Sequence, residues 1–133
     1  MKVSSSVRKI VKERAGNRCE YCLLHEDFSF LTYHIDHIIA QKHGGTNEED
    51  NLAYACPQCN SQKGTDLVTI LEEKKIVALF NPREDNWAEH FKTKEGKIIA
   101  LTEKGEATVK LLQLNAPERL ESRNLLYHIG LYP

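Results

Sequence analysis

The sequence predicts a single α+β domain, and three observations carry that reading. Its 133 residues amount to about one domain of chain. Short apolar runs of strand type are interleaved with stretches of helical spacing. Four cysteines fall in two Cys-x-x-Cys pairs, Cys19/Cys22 and Cys56/Cys59, which tie distant parts of the chain together. With 41% apolar and 28% charged residues, the composition is that of a globular protein and excludes a disordered tail or a fibrous repeat. No window approaches the ~18 consecutive apolar residues of a membrane-spanning helix. The stretch from Met1 to Gly16 has no apolar core of a secretory signal. The cytoplasm is therefore the expected location, with no membrane partner. Nothing in the sequence specifies an oligomeric state.

The elements follow in order. Ser4, Ser5 or Ser6 caps a helix running to about Ala15, with Val7, Ile10 and Val11 at helical spacing and Gly16 at its end. Phe28 to Ile35 reads as a strand, resumed by Ile38 to Ala40 after a bend. Lys42 to Asn47 is a loop marked by Gly44-Gly45. Leu52 to Ala55 is a second short strand. Pro57 and Gly64 bracket a short helix. Asp66 to Lys75 is expected to be helical, and Val77 to Phe80 a strand. Trp87 to Phe91 is ambiguous. Lys94 to Lys97 turns a hairpin into Ile98–Leu101. Thr102 caps a helix containing Ala107, Val109, Leu111, Leu112 and Leu114, and Asn115 with Pro117 opens another that ends near Ile129-Gly130. Trp87, Phe91 and the leucines after Leu111 are assigned to the core, and His25, His90 and His128 to structural roles.

Charge is uneven along the chain. Overall it is −1. From Met1 to Cys22, however, six basic residues (Lys2, Arg8, Lys9, Lys12, Arg14, Arg18) face only Glu13 and Glu20. Such a segment suits an anionic partner. A solvated helix face accounts for it equally well.

The cysteine pairs carry the first chemical signal. Two Cys-x-x-Cys knuckles present four thiolates to one tetrahedral ion, and Zn²⁺ in an all-sulfur site has no open position and serves structure. A redox Cys-x-x-Cys explains one pair and leaves the second without a role. Between Cys22 and Cys56 lie 33 residues, against ~15–20 in a plain zinc ribbon. Something is inserted, and the densest ionisable cluster of the chain, Tyr33-His34-Ile35-Asp36-His37, lies inside it. On a strand His34 and Asp36 share a face. A bend after Asp36 would bring His37 into the same pocket. A pair of histidines on a half-exposed strand is the plain alternative.

At this point the residues resemble a known family, the HNH endonucleases of ββα-metal fold. The resemblance runs through Arg14-Ala15-Gly16-Asn17-Arg18-Cys19-Glu20-Tyr21-Cys22, Ile35-Asp36-His37-Ile38-Ile39, Gly44-Gly45-Thr46-Asn47, Asp50-Asn51-Leu52-Ala53 and Cys56-Pro57-Gln58-Cys59-Asn60-Ser61-Gln62-Lys63-Gly64. It covers residues 5–66. Residues 67–133 look, more loosely, like the tail of certain bacterial members and are expected to pack on that module.

The resemblance implies particular roles. His37 would be the general base that activates water. Asp36 would ligate a catalytic divalent ion, Mg²⁺ or another. Asn51 would hold the loop and orient His37. Asn60 stands where the family's last histidine usually stands, as in some members, and would be the second ligand of that ion. Cys19, Cys22, Cys56 and Cys59 match the structural Zn²⁺ site. Lys42, His43, Lys63, Arg14 and Arg18 are candidate phosphate contacts, each with a surface role as its alternative, and His34 is a possible additional ligand. The implied activity is metal-dependent hydrolysis of phosphodiester bonds in nucleic acid, with DNA the expected substrate. The alternatives from other classes are a non-catalytic zinc-binding nucleic-acid module and a redox or metal sensor.

Overall fold

The computed structural model describes residues 3–133. Lys2 of the basic N-terminal set lies outside the described residues. Helix α1 (Ser5–Arg14) starts where Ser4 accepts a hydrogen bond from the Val7 amide, and it buries Val11. The chain leaves it through the left-handed Gly16 and Asn17. The first cysteine knuckle follows directly.

Strand β1 (His34–His37) pairs antiparallel with β2 (Leu52–Ala55), with Asp36 opposite Ala53 and His37 opposite Leu52. Helix α2 (Pro57–Lys63) follows at once, its N-terminus capped by the Cys56 sulfur. This β1–β2–α2 unit, clamped by the cysteines, is the ββα arrangement expected. Pairing limits β1 to four residues. The apolar run before it does not extend the strand: Glu26–Phe28 form a 3-10 turn, and Phe30 and Leu31 are exposed.

Beyond α2 the structure departs from the expected helix over 66–75. That stretch is a hairpin, β3 (Val68–Leu71) against β4 (Lys75–Ala78). The 3–4 spacing of Leu67, Ile70 and Leu71 suggested a helix. The β-branched Val68, Thr69, Ile70, Ile76 and Val77 favour the pleated surface instead, and Glu73 and Lys74 turn the chain at φ of +58° and +59°. Leu79 and Phe80, expected in the following strand, lie just past its end and are buried.

A short helix α3 (Trp87–His90) resolves the ambiguous segment, and β5 (Phe91–Lys94) with β6 (Lys97–Ala100) form the hairpin anticipated there. Helices α4 (Glu103–Leu111), capped by Thr102, and α5 (Pro117–His128) complete the chain. No described helix is long and apolar enough to cross a membrane.

Both halves contribute to one buried cluster. Val11, Tyr21, Tyr33, Leu52 and Tyr54 meet Phe80, Phe91, Ile98, Leu112 and Leu114. The join is made by Tyr21 edge-on to Phe80, which is in turn edge-on to Phe91 at 5.4 Å between centroids. The Trp87 indole N–H donates to the Tyr21 carbonyl at 2.9 Å. The Tyr132 hydroxyl donates to the Cys22 carbonyl at 2.8 Å. Two polar links thus pin the C-terminal half to the first knuckle.

Candidate metal centre and HNH site

The four cysteine sulfurs lie within 4.8 Å of one another, and all four residues are buried and unpaired by disulfide. Zn–S bonds of ~2.3 Å give a tetrahedron with S···S edges of about 3.8 Å. Cys22 Sγ and Cys56 Sγ are 3.8 Å apart. Each knuckle is closed by an amide directed at its first sulfur, Cys22 N to Cys19 Sγ at 3.5 Å and Cys59 N to Cys56 Sγ at 3.4 Å. Burial pushes the Cys19 and Cys59 thiols up, while hydrogen bonding from Cys19 pulls Cys22 and Cys56 down. Four buried thiolates within 4.8 Å of one another repel and need a cation to share this space. The donor set and spacing fit structural Zn²⁺, bound by Cys19, Cys22, Cys56 and Cys59. Cys56 is both ligand and helix cap, so binding the ion and starting α2 are one event.

Strand β1 carries the second cluster. Asp36 is 4% exposed. Its Oδ2 accepts from the Tyr21 hydroxyl at 2.8 Å and lies 3.4 Å from Lys63 Nζ. Burial pushes this carboxyl above the usual range, opposed by the Lys63 charge and the Tyr21 hydrogen bond. Tyr21 stands between the two cysteines of the first knuckle, so the zinc clamp also fixes the rotamer of Asp36. Among the described residues, Asp36 Oδ1 has no protein donor.

The His37 ring is half-buried. Its Nε2 is 2.7 Å from Asn47 Oδ1. An amide oxygen only accepts, so in the neutral ring this contact puts the proton on Nε2 and leaves Nδ1 its lone pair. Asn51 engages the loop on every side: Oδ1 accepts from the Ile39 amide, and Nδ2 donates to the carbonyls of Ile39 and Thr46, all within 2.8–2.9 Å. Gly45 is required beside it, because a Cβ there would collide with the Ile39 carbonyl and the Asn51 amide. The two tasks expected of Asn51 are thus divided. Asn51 holds the loop, and Asn47 meets the His37 ring. The sequence signal for Asn47 was its place at the end of Gly44-Gly45-Thr46-Asn47.

Lys63 differs from its expected place among the phosphate contacts. It is 2% exposed, and its ammonium donates to the carbonyls of His37 and Ile38 at 3.2 and 3.0 Å besides pairing with Asp36. It therefore holds the bend after β1. Arg14 and Arg18, also expected on phosphates, donate to the chain's own carbonyls, those of Glu49 and Leu52 and that of Leu23. Lys42 and His43 are exposed on the loop. His34 is exposed although it alternates with Asp36. Asn60 is half-buried and three residues before Lys63, on the same face of α2. Lys63, on that face, reaches Asp36 Oδ2 at 3.4 Å.

Breaking a buried pair by removing one partner typically costs ~3–5 kcal/mol. Lys63→Met is expected to destabilise the protein by about that much, read from urea unfolding of the zinc-loaded protein. A loss below ~1 kcal/mol would show that Asp36 tolerates burial without its partner.

Residues 19–66 match the HNH endonuclease family. This segment is similar to an HNH endonuclease module. A curated relative, the Septu protein PtuB of Bacillus thuringiensis, is 26% identical over 116 residues, which is 86% of this chain. The chain spans 43% of that relative's length. No solved structure matches it. The matched segment begins at Cys19 and includes Cys59, Asn60 and Lys63, so it takes in both clusters. It ends before β3, and α5 and the C-terminal tail that close on the cysteines lie outside it.

Proposed function

We propose that the chain is a metal-dependent HNH endonuclease that hydrolyses phosphodiester bonds in nucleic acid, with DNA as its substrate. The observation that carries this reading is the contact of His37 Nε2 with Asn47 Oδ1, which in the neutral ring leaves Nδ1 with its lone pair, directly after the buried Asp36. A histidine so placed suits proton abstraction from water near neutral pH. Asp36 and Asn60 would hold the catalytic divalent ion, with His34 a third candidate. Carboxylate and amide oxygens are hard donors suited to Mg²⁺. Such an ion supplies charge stabilisation at the scissile phosphate. Asn51 fixes the loop that presents Asn47, and Lys42 and His43 face solvent where they can meet phosphates. Four free thiols suit the reducing cytoplasm.

One observation favours a second reading. The Asp36 carboxylate already has Lys63 as counter-ion, as it would in a module that binds nucleic acid without cutting it. Plasmid nicking by zinc-replete protein with Mg²⁺, Mn²⁺ and Ni²⁺, repeated on single-stranded DNA and RNA, separates the two. The nuclease reading expects nicking that needs an added divalent ion and stops with excess chelator. Retarded plasmid that stays supercoiled with every ion would overturn it in favour of the binding module.

A further inference from the structure

The tetrathiolate centre has a partner outside the HNH module. Arg119, in the first turns of α5, directs Nη2 at Cys59 Sγ, 3.0 Å away, and at Cys56 Sγ, 3.8 Å away. Its Nη1 donates to the carbonyls of Leu112 and Gln113 at the end of α4, at 2.8 and 3.3 Å. The guanidinium is therefore held from both sides and aimed at the second knuckle. We propose that Arg119 is the counter-ion of the zinc centre, a positioning residue through which the C-terminal half completes the metal site. The proposal rests on the zinc reading and is independent of the nuclease reading.

The charge argument is direct. Four thiolates around Zn²⁺ carry a net charge of −2, and all four residues are buried. Residues 19–66 place no charged donor on any of the sulfurs. The donors they supply are the knuckle amides of Cys22 and Cys59. Nearby Arg18 is engaged with the Leu23 carbonyl. A buried dianion without a cation is costly, and a charge-assisted N–H···S bond from a fixed guanidinium offsets that cost. A second contact closes the opposite knuckle. Tyr132 donates to the Cys22 carbonyl, with the Arg123 guanidinium 5.7 Å from its ring centroid.

The test compares the full chain with Arg119→Ala, Arg119→Lys and Arg119→Gln. Chelator competition measures zinc affinity, and the Co²⁺-substituted proteins report on the sulfurs. An N–H···S bond lowers the energy of the sulfur lone pairs, so its loss moves the sulfur-to-Co²⁺ charge-transfer band to lower energy. Arg119→Ala is expected to lose about 10–100-fold in zinc affinity, the usual range for removing a partner of a metal ligand, and to show that band shift. Arg119→Lys keeps the charge and recovers more affinity than Arg119→Gln, which keeps only a neutral donor. Where Arg119→Ala fails to fold, the order of lysine over glutamine decides. Unchanged affinity and band position with a lowered melting temperature would overturn the proposal, leaving Arg119 as a tie between α4 and α5. Wild-type protein purified without metal would remove the zinc reading and this inference together.

Discussion

Cys56→Ser protein is expected to be isolated without zinc and without a cooperative melting transition. Cys56 is a ligand by its donor chemistry, and it is also the N-cap of α2 through the same sulfur. Apparent zinc-binding free energies of ~10–16 kcal/mol in small tetrahedral sites are folding free energies, as large as the whole stability of an ordinary domain at ~5–15 kcal/mol. The serine hydroxyl can cap a helix but is a poor zinc ligand, so the substitution separates the two tasks. Losing α2 would release Lys63 from Asp36 and the carbonyls after β1, and the bend at His37 would lose its brace. Elemental analysis together with a thermal melt checks this, and prolonged chelation of wild-type protein should reproduce the loss. One zinc per chain and an unchanged transition in the serine variant would show that the remaining three sulfurs suffice.

The contrast between what the residues announced and what they concealed follows from the range of the interactions. The cysteine pairs announced themselves because metal-ligand spacing is a local, discrete pattern. The same holds for Thr102 as a cap, for Pro117 opening α5 and for the turn at Glu95-Gly96. The helix expected over 66–75 failed where the 3–4 spacing of Leu67, Ile70 and Leu71 competed with the β propensity of the same stretch, and strand pairing decided the outcome. Lys63, Arg14 and Arg18 looked like phosphate contacts because sequence shows a charge and not its partner. The partners are carbonyls, and for Lys63 also the Asp36 carboxylate, brought near by pairing of β1 with β2 and by docking of α1 and α2. Asn47 and Asn51, four apart in one loop, could be told apart only after the loop had closed around Gly45. Arg119 was beyond reach for the same reason, since nothing near Pro117 signals a thiolate 60 residues earlier in the chain.

The zinc centre and the cluster on β1 are one mechanical unit. Tyr21, between two metal ligands, holds Asp36. Lys63, four residues after Cys59, holds both Asp36 and the backbone of His37. Weakening the clamp therefore disturbs Asp36 and His37 together even where no side chain of the cluster is replaced. For that reason, any variant tested for activity must first be shown to carry its zinc.

His37→Ala, with zinc content intact, is expected to nick plasmid ~10²–10⁴-fold more slowly than wild type, the usual cost of removing a general base, and to do so with every added ion. A metal ion can stabilise charge at the phosphate, but it cannot restore the lone pair that Nδ1 presents. Asn60→His should behave differently. An amide oxygen is a hard neutral ligand matched to Mg²⁺ and Mn²⁺, while imidazole binds the later transition metals better. The variant is expected to stay active and to shift its preference from Mg²⁺ toward Co²⁺ or Ni²⁺. Both substitutions lie within the HNH module, one on β1 and one on the face of α2 that carries Lys63, so plasmid nicking across a metal series compares them under identical conditions. Near-wild-type nicking by His37→Ala would remove His37 from the reaction and leave Asn47 holding a purely structural ring. A wild-type metal profile in Asn60→His would show that Asn60 does not touch the ion. The second ligand would then be sought at His34, which alternates with Asp36 on β1 and is open to solvent.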